Sequence, residues 1–212
     1  MIVSEIFKSI QGESTYTGLP CVFVRLAGCN LKCTWCDTAY ARVPEGAVEL
    51  SVEEIVHKVR FFDCGLVEIT GGEPLQQKDA AALARALVDD GFRVLVETNG
   101  SISLADLDPR VVKIIDVKCP SSGHAGSFLM ENLDLIAPED EIKFVIGDKA
   151  DYEYARRFLE ECLKDRTTRV LFAPVRPDLD PKELAAWILR DCISVRLQLQ
   201  IHSYIWPGER GR

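Results

Sequence analysis

Short apolar runs alternate with stretches of helical periodicity along most of this 212-residue chain. Residues 21–26 form a β-rich run that stops at Gly28. Runs 66–70, 93–98, 111–117, 141–146, 169–173 and 194–201 also read as strands, each beside turn-forming residues. Between them, 52–62, 78–90, 150–163 and 181–191 carry apolar residues at the spacing of one helix face. Ser51 stands as an N-cap ahead of Glu53 and Glu54, Gly91 stops the second helix, and Pro181 opens the fourth. A short helical piece is expected near Leu104. Residues 1–20 read as loop, punctuated by Gln11-Gly12-Glu13-Ser14 and Gly18-Leu19-Pro20. Residues 121–126 are poorly patterned, and 207–212 form a polar tail.

Strand–helix alternation of this kind builds a parallel sheet with helical crossovers. About six core strands with one or two edges fall short of the eight of a closed barrel. The expected fold class is therefore α/β, a partial, incomplete TIM-like barrel formed as a single domain over 1–212. No fixed-period repeat or long linker divides the chain.

Composition narrows the function classes. Lys and Arg number 25 against 33 Asp and Glu, a net charge of −8, which argues against sequence-independent binding of nucleic acid through phosphates. No run of 18 apolar residues predicts a membrane span, and the early acid Glu5 is unlike a signal peptide. A reducing, cytoplasmic setting is expected. Eight cysteines in that setting point to metal or redox chemistry.

Cys29, Cys33 and Cys36 follow the first β-rich run at C-x3-C-x2-C spacing. Three thiolates so placed can hold three irons of a cubane cluster and leave the fourth open. Three core thiols, or a zinc knuckle closed by a distant ligand, are the alternatives. Cys21, Cys162 and Cys192 read as buried small hydrophobes, and Cys119 sits beside a candidate site. Polar or glycine-rich stretches recur at strand ends, where such folds hold their chemistry: Thr70-Gly71-Gly72-Glu73-Pro74, Glu97-Thr98-Asn99-Gly100 and Asp116-Val117-Lys118. Gly71 and Gly72 let a ligand lie against the backbone, and Glu73 can accept from an ammonium; a tight turn capped by Pro74 is the plainer reading. Asn99-Gly100 alone is a turn, and Lys118 alone a solvated lysine.

The cysteine spacing with T-G-G-E-P downstream resembles the radical S-adenosylmethionine (SAM) superfamily. Within it, Ser9-Ile10-Gln11-Gly12-Glu13, Arg25, Cys36-Asp37-Thr38 and Leu199-Gln200-Ile201-His202 resemble the 7-carboxy-7-deazaguanine synthase family of the queuosine pathway. The resemblance implies a [4Fe–4S] cluster on Cys29, Cys33 and Cys36, with SAM and Mg²⁺. It implies radical rearrangement of 6-carboxy-5,6,7,8-tetrahydropterin to 7-carboxy-7-deazaguanine with loss of ammonia. Ile10, Gln11, Gly12, Arg25 and Thr70 would then contact the pterin. The backbone of Trp35, Cys36 and Asp37, with Gly72, Glu73, Asn99, Asp116, Val117 and Lys118, would contact SAM. The Ala173-Pro174-Val175-Arg176 turn would close over its adenine, and Thr38 would hold Mg²⁺. An external one-electron reductant of flavodoxin or ferredoxin type and a homodimer are also implied.

The residues fit these roles. Arg25 is a fork-shaped donor suited to a carboxylate, although a surface ion pair would also explain it. Thr38 offers a neutral oxygen to Mg²⁺, or is a helix cap. His202, past the last strand, is either a site residue or a structural histidine; His57 and His124 receive no role. Three departures stand out. Ser14 replaces the glycine of a Gln-Gly-Glu-Gly motif, Asp116-Val117 replaces Ser-Pro before Lys118, and the tail after His202 is longer than in relatives whose terminus approaches the substrate. A glycyl-radical activase shares the cysteine spacing, and a non-catalytic iron–sulfur or zinc-binding module is the third reading.

Overall fold

The alternation is realised as one nine-stranded sheet. The structure, a computed structural model, describes residues 1–164, 166–209 and 211. The strands are β1 (Ile2–Ile10), β2 (Pro20–Leu26), β3 (Val48–Glu49), β4 (Leu66–Gly71), β5 (Arg93–Thr98), β6 (Val112–Asp116), β7 (Glu141–Ile146), β8 (Arg169–Pro174) and β9 (Arg196–Leu197). The helices are α1 (Val52–Arg60), α2 (Ala80–Asp89), α3 (Lys149–Phe158), α4 (Pro181–Arg190) and the single turn α5 (His202–Ile205). Spatial order is β3-β1-β2-β4-β5-β6-β7-β8-β9. From β2 onward every pairing is parallel, while β1 runs antiparallel to both β2 and β3. The expected parallel core is thus β2 and β4 to β8.

Local chemistry sets the helix starts. Ser51 Oγ accepts from the Glu54 N–H at 3.2 Å and Glu54 returns a bond to the Ser51 N–H at 2.7 Å, a reciprocal cap. Asp180 caps α4 through Lys182 N at 2.8 Å, with Pro181 at its first position.

Four expectations are corrected. Residues 1–20 are not loop throughout, because β1 occupies nine of them; only Val3 of that strand is buried, so it lacks a core strand's apolar run. Near Leu104 there is no helix. The buried Asn132 side chain accepts from Leu104 N at 3.0 Å and donates to the Gly100 and Ile102 carbonyls at 3.0 and 2.9 Å, spending the groups a helix would need. The last strand shrinks to Arg196–Leu197, since the Ile201 N–H turns to Gly12 O at 3.0 Å and the chain enters α5. Cys192 is exposed in a left-handed turn after α4, at φ 50°, and Cys162 is half-buried, whereas Cys21 is buried as expected.

Strand alternation separates two faces. Val22, Val24, Leu26, Val67, Ile69, Val94, Val96, Ile142, Phe144 and Phe172 pack with Ile55, Val59, Leu83, Leu87, Tyr152 and Leu184 from the helices. The other face begins with an apolar floor of Cys21, Phe23, Leu66, Leu95 and Ile114. Toward the strand carboxyl ends it turns polar, with Arg25, Glu68, Thr70, Glu97, Asp116 and Lys143.

The β1–β2 connection reaches across to the distant strands. Thr15 N donates to both oxygens of Glu141 on β7 at 3.1 Å, and Ser14 N donates to Gln198 Oε1 at 2.7 Å. Ser14 has φ 62°, so it keeps the left-handed backbone a glycine would supply. The substitution leaves that feature of the loop intact.

Candidate active site

A cavity of about 440 Å³ opens at the carboxyl ends of the strands. Cys29, Cys33 and Cys36 line one side of it. Burial raises both the Cys29 and Cys33 thiols, offset only in part by the Leu31 N–H at Cys29 and by Lys118 at Cys33. The cysteine loop is held from outside. Lys32 N donates to His124 Nε2 at 2.9 Å, Thr34 N to Ser122 O at 3.1 Å and Trp35 Nε1 to Ser121 Oγ at 2.9 Å. Ser121 is itself fixed by Asp151. The unpatterned stretch after Cys119 is therefore the cradle of this loop, and no sequence signal pointed to it.

The glycine turn after β4 meets the cysteines directly. A β-carbon on Gly72 would fall 2.2 Å from Gly28 O and 2.7 Å from Cys29 Cβ. The Glu73 carboxylate is spent on Thr98 Oγ1 at 2.8 Å, Asn99 N at 2.7 Å and Leu75 N at 3.0 Å. Glu73 is fully buried and stands outside the cavity lining, where it fixes Asn99, which is in the lining. Val117 also lies outside the lining, in the helix-side core. Lys118 pairs with Asp116 at 2.9 Å and lies 5.4 Å over the Trp35 ring. The buried Asp116 Oδ1 has no hydrogen-bond partner among the described residues.

Deeper in, the cavity is charged. Lys143 Nζ meets Glu13 at 3.0 Å, Glu97 at closer range and Asp116 at 3.7 Å. Burial opposes its charge, but Glu13, Glu97 and Asp116 outweigh burial and raise its pKa. Burial also pushes Glu97 upward, yet Lys143 and the Thr70 hydroxyl prevail and pull it to about 2. Arg25 Nε donates to Glu5 Oε1 at 2.8 Å, and Tyr40 Oη donates to the same oxygen at 2.6 Å. Sequence gives Glu68 and Lys143 no role, and Glu97 only a place in a polar strand-end stretch. Glu68 and Lys143 nevertheless carry a signal: each is a charge set between two buried apolar neighbours of its strand, which is costly without a partner or a ligand.

The remaining expected residues come to the same place. Ile10, Gln11, Gly12, Thr70, Trp35, Asp37, Thr38, Ala173, Pro174, Val175, Arg176 and His202 all line the cavity. Thr38 Oγ1 donates to Asp37 Oδ1 at 2.9 Å instead of capping the following turn. A β-carbon on Gly12 would fall 2.0 Å from His202 Nδ1, so His202 rests on that backbone. The tail also returns: Gly208, Glu209 and Gly211 line the cavity, while Arg210 and Arg212 lie outside the described residues.

Residues 24–190 match the Radical SAM superfamily. The chain is 48% identical over 224 residues to the 7-carboxy-7-deazaguanine synthase of Koribacter versatilis, covering 99% of this chain and 98% of that one. It is 46% identical to the enzyme of that name from Chlorobaculum tepidum, over 99% and 96% of the two chains. The chain belongs to the 7-carboxy-7-deazaguanine synthase family. The fold agrees with a crystal structure titled QueE from Escherichia coli, with TM-score 0.79 and 24% identity over 94% and 93% of the chains.

Membership of the radical SAM superfamily implies a [4Fe–4S] cluster and SAM. The donor set fits: the three cysteines line one cavity, and a cubane takes one thiolate per iron, so three thiolates leave the fourth iron open. The partnerless Asp116 Oδ1 beside Lys118 suits a ligand hydroxyl.

Proposed function

We propose that this protein converts 6-carboxy-5,6,7,8-tetrahydropterin to 7-carboxy-7-deazaguanine with loss of ammonia. The observation that carries the reading is one cavity with three cysteines on one wall and a charged, hydrogen-bonding layer on the other. When bound at Cys29, Cys33 and Cys36, the cluster together with SAM would supply the radical chemistry that the rearrangement of the pterin requires. The protein's own residues position and shield. Cys29, Cys33 and Cys36 are the cluster ligands. The backbone of residues 35–37 and Gly72, with Asn99, Asp116 and Lys118, would hold SAM, and the 173–176 turn would lie over the adenine. Arg25, already oriented by Glu5, would clamp the substrate carboxylate, while Ile10, Gln11, Gly12, Thr70 and His202 would frame the ring.

Thr38 and Asp37 place two hard oxygens side by side at the cavity wall, which supports a Mg²⁺ site shared with substrate. The reductant would be a flavodoxin- or ferredoxin-like carrier. The whole chain would act as one domain, in keeping with its continuous sheet. Homodimeric assembly follows the family resemblance and is testable by light scattering. No helix among the described residues is long and apolar enough to cross a membrane; the cytoplasmic setting belongs to the proposal.

The test is anaerobic turnover. Reconstituted, reduced protein with SAM, Mg²⁺ and carboxytetrahydropterin should release 7-carboxy-7-deazaguanine and ammonia with no other protein substrate. SAM cleavage without that product would contradict the reading, and a requirement for a protein bearing an acceptor glycine would favour an activase.

A further inference from the structure

Glu68 lies on β4, two residues deeper than Thr70 on the same cavity-facing side, about 6.6 Å further from the mouth at ~3.3 Å per residue. It is 4% exposed, above the apolar floor of Phe23, Leu66 and Leu95. An aliphatic side chain would continue that floor at no electrostatic cost, so a carboxyl here calls for a purpose.

Its partner is Gln11. Gln11 Nε2 donates to Glu68 Oε2, while Gln11 Oε1 accepts from the Glu13 N–H at 2.9 Å. Gln11 is 3% exposed and also lines the cavity. Rotating the amide by half a turn would set Oε1 against the Glu68 oxygen and Nε2 against the Glu13 N–H. Both contacts would then clash in polarity, so the amide is fixed. One N–H and one lone pair of Gln11 remain for a ligand, in a set order.

We propose that Glu68 is a specificity-determining positioning residue, whose carboxyl locks the Gln11 amide so that it reads the lactam edge of a 2-amino-4-oxopyrimidine ring. This rests on the pterin reading of the site. The reacting carbon must face SAM at the mouth, which sends the pyrimidine edge of the bicycle toward the floor, where Glu68 and Gln11 stand. Burial, then Glu97 and Glu13, push the Glu68 carboxyl well up, with Lys143 and Arg25 only partly offsetting them.

The experiment is anaerobic calorimetric titration of reconstituted holoprotein with substrate, with its 2,4-diamino analogue, whose 4-amino group and bare N3 reverse the polarity of the lactam edge, and with SAM. Glu68→Gln retains an acceptor and should keep substrate affinity within about twofold. Glu68→Val should weaken substrate about tenfold or more, narrow the preference over the analogue, and leave SAM affinity and the cluster spectrum unchanged. Glu68→Leu, closer in volume, should match Glu68→Val. Gln11→Ala should weaken substrate alone but add little to Glu68→Val, since the two act as one unit. Wild-type affinity in Glu68→Val and Glu68→Leu would overturn the proposal, as would additive losses or equal weakening in Glu68→Gln. If Gln11→Ala itself leaves substrate affinity unchanged, the reading of the site fails and the proposal with it. A loss in Gln11→Ala without one in Glu68→Val sinks the proposal alone.

Discussion

Gly72 and Cys29 are in backbone contact: a β-carbon on Gly72 would stand 2.7 Å from the Cys29 β-carbon and 2.2 Å from the preceding carbonyl oxygen. Neither atom is the far end of a flexible side chain, so the cysteine loop must move to admit one. Gly72→Ala should therefore fold but lose most of its iron on reconstitution, while Gly65→Ala, with open space around its β-carbon, should load normally. Iron assay with far-UV circular dichroism decides this, and full iron in Gly72→Ala would refute the contact's importance.

Arg25 is aimed by Glu5 and shares the cavity with Thr70 and Glu97. Arg25→Ala should weaken substrate binding by about 10- to 100-fold, the span of a lost charge-assisted bond. Glu5→Ala should cost less, because the guanidinium survives without its guide. SAM affinity should hold in both, and a matching loss of SAM would place Arg25 elsewhere in the chemistry.

Glu97 makes folding stability depend on acid. Its folded pKa, about 2, lies below the ordinary 4.5, so the unfolded chain takes up this proton first as pH falls. The contribution is present above 4.5 and is lost on descent toward 2. Denaturant titrations from about pH 5 to about pH 3 should show a steeper loss in wild type than in Glu97→Gln. Equal slopes would contradict the Lys143–Glu97 pairing.

Thr38→Val removes one of the two adjacent oxygens at the cavity wall. It should raise the Mg²⁺ concentration needed for half-maximal turnover several-fold while leaving iron content unchanged. An unchanged Mg²⁺ requirement would move the ion away from this pair.

Much of the frame was legible because buried parallel strands advertise themselves as apolar runs. β5 and β7 occupy the predicted residues, and the cysteines, Gly72, Asn99 and Lys118 stand where strand ends put them. β1 was hidden because a strand that buries one side chain, Val3, lacks such a run. The loop at Leu104 was misread because Asn132, distant in sequence, holds it. Glu73 fits the motif but braces Asn99, a choice made by tertiary contacts. Glu68 and Lys143 were passed over although a charge in a core strand is itself a signal.

Cys29, Cys33 and Cys36 alone should anchor a cluster with one open iron. The direct test is anaerobic reconstitution of wild type, Cys33→Ala and Cys119→Ala, followed by electron paramagnetic resonance of the reduced cluster with and without SAM. Wild type and Cys119→Ala should bind about four irons per chain and show a spectrum that SAM shifts, while Cys33→Ala shows neither. A full cluster in Cys33→Ala, or a wild-type spectrum indifferent to SAM, would contradict the account.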